Sequence, residues 1–194
     1  MLSGSQLPSK NADASEEEMP RMLTYTNLVK NMLDDKNIEV YLGEEIEKPE
    51  ECGKYKAVYH TGSIDEFFGY KFGVLPYRSL EFKYYSFEME YFQSNSVVNY
   101  PCNYDFTRIH EFKYYLGEKS PKTSVVFEYP HPFQIGYNGR YYPIQTEENL
   151  SLYNKYLCEA RKLENLCFLG RLGDYKYYDM DKAIERALNI QMPL

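Results

Sequence analysis

A short apolar run followed by two closely spaced glycines constrains this 194-residue chain more than any other stretch. Residues 165–169 have the length and apolar character of a buried strand. Gly170 and Gly173 then free the backbone to turn sharply, because glycine accepts positive φ angles that other residues avoid. Asp179 or Asp181 can cap a helix after the turn. The predicted helix carries an apolar face at helical spacing, formed by Met180, Ala183, Ile184, Ala187 and Leu188.

This succession of strand, glycine turn and helix has two interpretations. The N-terminus of a helix carries a partial positive charge and free N–H groups, so the arrangement is a common cradle for the anionic or polar edge of a cofactor. It is equally the ordinary way of joining a strand to a helix. On the pattern alone the ordinary connection is favoured, by about two to one.

Composition excludes several functional classes. The chain has 29 acidic and 22 basic residues, a formal charge of −7, whereas a nucleic-acid-binding protein needs a basic excess or a basic stripe. No apolar run approaches the roughly 18 residues of a membrane span. No signal peptide follows Met1, which predicts a cytoplasmic protein without a membrane partner. The four cysteines and three histidines lack metal-ligand spacing, so we expect no metal site.

The pattern of residues in the first half of the chain indicates a polar tail followed by a helix and two strands. Residues 1–21 are polar and lack apolar periodicity, which predicts a disordered tail. Residues 24–33 have the pattern of a helix, and residues 38–42 alternate like a strand. Residues 56–60 form a second predicted strand, which ends at Thr61-Gly62.

From residue 80 to residue 129 the apolar period changes to two, which indicates consecutive antiparallel strands. Strands are predicted at residues 82–87, 96–100, 107–115 and 123–129, and the prolines that follow are expected to end the sheet. Thr146 is then expected to cap a helix that continues to Leu163. The prediction is a mixed α/β fold. Residues 22–74 and 142–194 form one layer of strands and helices, interrupted by an antiparallel sheet at 75–141.

Five segments resemble one enzyme family. Gly-Arg-Leu-Gly-Asp-Tyr-Lys-Tyr-Tyr-Asp-Met, residues 170–180, is similar to the C-terminal signature of UDP-galactopyranose mutase, a flavoenzyme. Four other segments resemble further blocks of that family, in family order and at about family spacing, so the resemblance extends from about residue 25 to the C-terminus. These are Thr-Gly-Ser-Ile-Asp-Glu-Phe-Phe (61–68), Leu-Pro-Tyr-Arg-Ser-Leu (75–80), Phe-Thr-Arg-Ile (106–109) and Tyr-Tyr-Pro-Ile (141–144).

The resemblance implies a fold and a reaction. It implies that the layer at 22–74 and 142–194 is part of a discontinuous FAD-binding domain and that the antiparallel sheet lies on the substrate side. The implied reaction interconverts UDP-galactopyranose and UDP-galactofuranose through an adduct between the sugar and N5 of the reduced flavin. The implied small-molecule partner is UDP-galactose. Whether the chain forms a homo-oligomer is left open by the sequence.

The resemblance also implies site residues. Arg108, Tyr142 and Tyr177 match family residues that reach the substrate diphosphate, and Asn99 matches one near the sugar. From the residues alone, Arg108 is as readily a surface strand arginine paired with Glu111 or Glu128, and the tyrosines are as readily packing residues. The implied cofactor-binding residues are Thr61, Gly62, Gly170, Arg171, Asp179 and Met180.

The chain departs from the family in several respects. Phe106 stands where the family usually has Tyr, and the mobile-loop arginine and the uracil-stacking residues of the family have no counterpart. The departure that matters most concerns the cofactor. No Gly-x-Gly-x-x-Gly sequence is present, although that loop normally holds the pyrophosphate of FAD. We therefore expect that the N-terminal part of the family protein is missing and that this chain by itself binds FAD poorly or not at all. Two alternatives to an enzyme stay open, a non-catalytic sugar-nucleotide-binding module and a structural remnant.

Overall fold

The computed structural model describes residues 25–44 and 48–190. The chain divides into two units, residues 1–44 and residues 45–194. The predicted tail at 1–21 lies outside the described residues. In the first unit the predicted helix is confirmed as α1 (Tyr25–Leu33). The strand predicted at 38–42 is wrong, because these residues pair with no strand in the described part of the chain.

The second unit is mixed α/β, as predicted, with a small parallel sheet and a larger antiparallel one. It begins with a 3-10 helix at Pro49–Lys54. The regular elements that follow are β1 (Val58–His60), α2 (Ile64–Phe67), β2 (Tyr77–Phe87), β3 (Val97–Asn99), β4 (Arg108–Glu111), α3 (Lys113–Leu116), β5 (Thr123–Pro132), β6 (Tyr142–Pro143), α4 (Glu147–Ala160), β7 (Leu166–Phe168), α5 (Gly170–Gly173) and α6 (Met180–Leu188).

The parallel sheet joins two strands that are far apart in sequence. Strand β1 pairs with β7, with His60 opposite Phe168. The antiparallel sheet has the order β3-β4-β5-β2-β6. Its longest ladder pairs β2 with β5 in an unbroken register from Arg78–Pro132 to Phe87–Thr123. The predicted run of antiparallel strands is therefore confirmed.

Two details of that sheet differ from the prediction. The segment 107–115 is not one strand, because the chain turns into helix α3 after Glu111, and Gly117 at φ 64° ends that helix. Strand β5 also continues past Tyr129 and ends at Pro132, the second of the two prolines, where its pairing with β2 stops. The Phe133 amide donates to the Tyr77 carbonyl, so in this part of β5 every second residue hydrogen-bonds to β2 and the residues between point away from it. Pro130 and Pro132 are among those that point away, towards the side of β4 but beyond its end. The N–H that proline lacks would have no strand partner there, so the loss of that N–H costs little.

Helix α4 begins where the sequence predicts, because the Thr146 hydroxyl accepts the Asn149 amide at 3.2 Å. It ends at Ala160, three residues before Leu163. Its inner face contributes two tyrosines to the core, and their hydroxyls are satisfied by backbone carbonyls. Tyr153 donates to Gly173 at 3.1 Å, and Tyr156 donates to Gly73 at 2.7 Å. The core is therefore built on aromatic rings with hydrogen-bonded hydroxyls.

The two glycines of the C-terminal turn have different reasons to be glycine. Gly170 has φ +80°, so its predicted left-handed conformation is confirmed. Gly173 does not have a positive φ, and that expectation was wrong. A Cβ at Gly173 would lie 3.1 Å from the His60 carbonyl oxygen, so glycine is needed there for close packing against β1.

Buried tyrosines predict alkaline unfolding. Burial raises the pKa of Tyr77, Tyr153 and Tyr175, in the last case to about 12, whereas an unfolded tyrosine ionises near pH 10. Between about pH 10 and 12 the unfolded chain loses these protons before the folded chain does, so stability falls as pH rises. We expect the urea midpoint to be level up to about pH 9 and to decrease steadily above pH 10.

The matched controls are two Tyr→Phe variants. Tyr175→Phe removes one of the buried hydroxyls and is expected to make the decrease above pH 10 shallower. Tyr84→Phe changes a side chain that is 70% exposed and is expected to leave it unchanged. A midpoint that stays level to pH 12 would contradict the prediction.

Candidate functional site

The parallel strand pair brings two predicted cofactor segments to one edge. Strands β1 and β7 run in the same direction, so their carboxyl ends meet, and Thr61-Gly62 and Gly170 follow those ends directly. The Leu169 amide donates to the His60 carbonyl at 3.1 Å, which holds the two segments together. Ligands of α/β folds bind at this kind of edge. The structure therefore brings together segments that are more than 100 residues apart in the sequence.

Gly62 is needed at this edge for a steric reason. A Cβ on Gly62 would lie 2.6 Å from the imidazole of His60, which packs on Phe67 with ring centroids 4.7 Å apart. Thr61 beside it is exposed. The strand end is therefore open to solvent at Thr61 and closely packed immediately beneath it.

Arg171, Tyr142 and Tyr177 form a compact cluster beyond the glycine turn. The Tyr142 and Tyr177 rings stack with centroids 5.6 Å apart and an interplanar angle of 28°. The Arg171 guanidinium carbon lies 4.7 Å from the Tyr177 centroid and 5.9 Å from that of Tyr142. One guanidinium nitrogen donates to the Tyr178 carbonyl at 2.7 Å. A cation packed against two stacked phenols offers a delocalised positive charge beside two hydroxyl groups.

Asp179 is part of this cluster, although in a way that the sequence did not predict. It occupies the N-cap position of α6, yet its side chain caps no backbone amide. Instead Oδ1 accepts the Tyr177 hydroxyl at 2.8 Å. This hydrogen bond is the main cause of the raised pKa of Tyr177. Met180, the first residue of α6, is 56% exposed beside it.

Arg108 and Asn99 are paired across neighbouring strands of the antiparallel sheet. Arg108 is also opposite Glu128, and its Nε lies 3.5 Å from Glu128 Oε1. Of the two partners considered for Arg108 as a surface strand arginine, Glu111 and Glu128, the structure places Glu128 beside it. The geometry does not make this a hydrogen bond, since Nε has no acceptor among the described residues. His110 lies 3.5 Å from the other Glu128 oxygen.

The strand register places both groups of residues on one face of the sheet. Residues paired across strands share a face, and side chains alternate along each strand. Tyr142 is opposite Arg78, and Glu128 is opposite Phe82. Four residues of β2 separate these positions, roughly 14 Å at strand spacing. An elongated ligand with an anionic centre can contact both ends of such a face.

Sequence reasoning missed Arg78. It lies on this same face between the two groups, is exposed, and forms no ion pair with any described residue. Its position in the segment 75–80 was a usable signal, because that segment alternates as a strand and Arg78 has the same parity as Phe82. The face therefore carries two arginines, of which only Arg108 lies beside a carboxylate.

A cavity of about 840 Å³ lies between the loop after β1 and the end of α4. Gly62 and Ser63 line it, but Arg171 does not. Three lysines and three glutamates also line it, so its charge is balanced and gives no preference for a diphosphate. They are Lys48, Lys71, Lys162, Glu50, Glu66 and Glu159.

Comparison with known proteins decides the family. The sequence profile of UDP-galactopyranose mutase matches residues 13–177. The chain belongs to the UDP-galactopyranose mutase family. It is 39% identical over 173 residues to a probable UDP-galactopyranose mutase of Klebsiella pneumoniae, covering 88% of this chain and 44% of that protein. The resemblance inferred from the five segments is confirmed.

Two further mutases extend the comparison. UDP-galactopyranose mutase of Mycoplasma genitalium is 43% identical over 134 residues, covering 66% of this chain and 33% of that protein. The dTDP-fucopyranose mutase of Escherichia coli is 35% identical over 171 residues, covering 84% of this chain and 45% of that protein. The chain thus spans less than half the length of these mutases, in agreement with a C-terminal part. No helix among the described residues is long and apolar enough to cross a membrane.

Proposed function

We propose that this chain carries the sugar-nucleotide-binding face of a mutase that interconverts UDP-galactopyranose and UDP-galactofuranose. Arg108 and Tyr177 bind the diphosphate, Tyr142 contributes a further hydroxyl, and Asn99 contacts the sugar. Membership of the mutase family supports the reaction class. The observation that carries the proposal is the strand register, from which Asn99, Arg108 and Tyr142 lie on the same face of the sheet.

The chemistry assigns a simple role to these side chains. When the sugar–phosphate bond breaks, negative charge develops on the leaving diphosphate, and cations with hydroxyl donors stabilise it. The planar guanidinium of Arg108 suits two phosphate oxygens at once. Its Nε faces Glu128, so its terminal nitrogens are the ones left for a ligand. Tyr177 is a neutral phenol at neutral pH. Its one O–H is donated to Asp179 at 2.8 Å, so in this proposal the hydroxyl turns from that carboxylate to the diphosphate when the ligand binds.

The residues at the parallel strand edge fit one side of a flavin ring. Where the two strands end, Thr61 is exposed, Gly62 and Gly170 are half-buried and carry no side chain, and Arg171 follows Gly170 directly. The N-terminus of α6 has no side-chain cap, because Asp179 bonds to Tyr177 instead. Reduced FAD, when bound, supplies the nucleophile for the sugar carbon. In this proposal Thr61, Gly62, Gly170, Arg171, Asp179 and Met180 hold that cofactor, and the layer at 22–74 and 142–194 belongs to the flavin domain.

Removing Arg108 tests the proposal directly. We expect Arg108→Ala to weaken UDP binding tenfold to a hundredfold, since one charge-assisted contact contributes roughly 1.5–3 kcal/mol. Binding is measured by isothermal titration of the purified chain with UDP and, in parallel, with dTDP. Both nucleotides carry the same diphosphate, so the loss is expected to be similar for both. Arg108→Lys keeps the charge without the fork and is expected to fall between wild type and Arg108→Ala.

The matched control is Arg161→Ala, which removes an exposed arginine from the end of helix α4. It has the same effect on net charge as Arg108→Ala and is expected to leave UDP affinity unchanged. Equal affinities for wild type and Arg108→Ala would contradict the diphosphate role. A wild-type chain that binds neither nucleotide would favour the structural-remnant alternative.

A further inference from the structure

Asp174, in the turn after α5, has a carboxylate surrounded by hydrogen-bond donors. Its side chain is 15% exposed. Oδ2 accepts the Gly170 amide at 3.1 Å, the Tyr178 hydroxyl at 3.3 Å and Arg186 Nε at 3.1 Å. Oδ1 accepts Arg186 Nη2 at 3.2 Å. One carboxylate thus connects the start of the glycine turn, the end of the following loop and helix α6.

We propose that Asp174 is a positioning residue, which holds Arg171 and Tyr177 in the orientation that an anionic ligand meets. The identity of the ligand rests on the proposed function, whereas the orientation of Arg171 can be measured without any ligand. Asp174 itself faces Arg186, and among the described residues no hydrogen bond or ion pair joins it to Arg171, Tyr142 or Tyr177. Its action is therefore indirect.

The connection passes through Tyr178. The hydroxyl of Tyr178 is held by Asp174, and the carbonyl of the same residue accepts the Arg171 guanidinium at 2.7 Å. Arg171 in turn packs over the Tyr177 ring at 4.7 Å. Each contact fixes the next, so a change at Asp174 reaches Arg171 and Tyr177 through one tyrosine.

Arg186 has a complementary role in charge. The hydrogen bonds to Asp174 raise the pKa of Arg186, which keeps it cationic. It occupies both Asp174 oxygens from helix α6. The Asp174 carboxylate is thereby paired with Arg186, whereas the Arg171 guanidinium bonds to the Tyr178 carbonyl and packs on Tyr177.

Two variants of the full chain test the proposal. Tyr178→Phe removes only the hydroxyl that links Asp174 to the loop, and Asp174→Asn removes the charge with little change of shape. The readouts are the NMR signals of Arg171 Nε–H and the Tyr177 ring without ligand, and then the affinity for UDP. We expect both variants to shift these signals and to weaken UDP binding about threefold to tenfold. Glu185→Gln, which breaks the exposed Lys182–Glu185 pair on the same helix, is the control and is expected to change neither.

The outcomes separate this proposal from the proposed function. Unchanged Arg171 and Tyr177 signals in both variants would overturn the positioning role. Shifted signals in a chain whose wild type binds no UDP would support the positioning role and reject the ligand. Shifted signals with undiminished UDP affinity would overturn the proposal. If Asp174→Asn does not fold, Tyr178→Phe alone decides, because it leaves the Asp174–Arg186 pair and the Gly170 contact intact.

Discussion

Gly173→Val is expected to destabilise the chain by about 3 kcal/mol or more, the upper end of the cost of overpacking. A Cβ at this position would lie 3.1 Å from the His60 carbonyl oxygen and 3.4 Å from the Phe168 carbonyl carbon and Cβ. His60 and Phe168 are paired across β1 and β7, and the His60 carbonyl already accepts the Leu169 amide. Because these atoms belong to the paired strands, the shift of a few tenths of an ångström that a Cβ requires, and the larger one that the valine methyls require, would strain the pairing of β1 with β7. A urea titration followed by circular dichroism measures the loss.

Amide hydrogen exchange then shows where the damage lies. We expect the amides of β1 and β7 to lose protection, whereas those of the β2–β5 ladder keep it. The atoms nearest to a Cβ at Gly173 belong to His60 and Phe168, which lie in β1 and β7. Gly53→Val is the matched control, since Gly53 has no positive φ and no atom near its would-be Cβ. Equal urea midpoints for Gly173→Val and wild type would contradict the close packing of Gly173 against β1.

Asp65→Ala is expected to cost about 2–6 kcal/mol, the sum of roughly 1–3 kcal/mol for each of two buried donors left without an acceptor. Asp65 is fully buried. Its carboxylate accepts the Leu75 amide at 2.9 Å and the Ser63 hydroxyl. These bonds tie the segment after β1 to the segment that leads into β2. The measurement is the free energy of unfolding in urea at pH 7.

Two further variants define the cause. Asp65→Asn keeps one carbonyl acceptor and is expected to lose less stability than Asp65→Ala. Asp105→Ala removes an exposed carboxylate from the loop between β3 and β4 and is expected to change stability by less than about 0.5 kcal/mol. An Asp65→Ala variant as stable as wild type would mean that Leu75 and Ser63 find other acceptors.

The residues of the candidate site could be found from the sequence to different degrees. Arg171, Tyr177 and Asp179 belong to one contiguous segment, so a single motif locates all three. Arg108 and Asn99 are also visible in the sequence, but their cross-strand pairing is not, because register depends on the partner strand. Arg78 was missed although its parity with Phe82 is visible in the sequence, because which face that parity selects depends on the pairing of β2 with β5 and β6.

Local chemistry determined the start of α4 and the turn at Gly170. A threonine at the N-cap and a glycine at positive φ act within a few residues of themselves, so the sequence suffices. The same holds for the alternating strands β2 and β5. The strand prediction at 38–42 was wrong because a strand does not depend on local sequence alone. An alternating pattern becomes a strand only where another strand supplies hydrogen bonds.

Tertiary contacts decided what the glycine turn does. Gly173 is glycine because β1, more than 100 residues earlier, passes 3.1 Å from its would-be Cβ, and nothing in the surrounding sequence records that approach. Asp179 lies at a helix N-cap as the sequence predicts, yet its carboxylate bonds to Tyr177 instead of the helix. The Asp174 carboxylate pairs with Arg186 of helix α6, twelve residues later. The sequence by itself determined the local features, such as the N-cap of α4, the turn at Gly170 and the alternation of β2 and β5, because each depends on residues near it in the chain. The partners of each side chain, and whether residues 38–42 form a strand, depended on packing between segments distant in the chain.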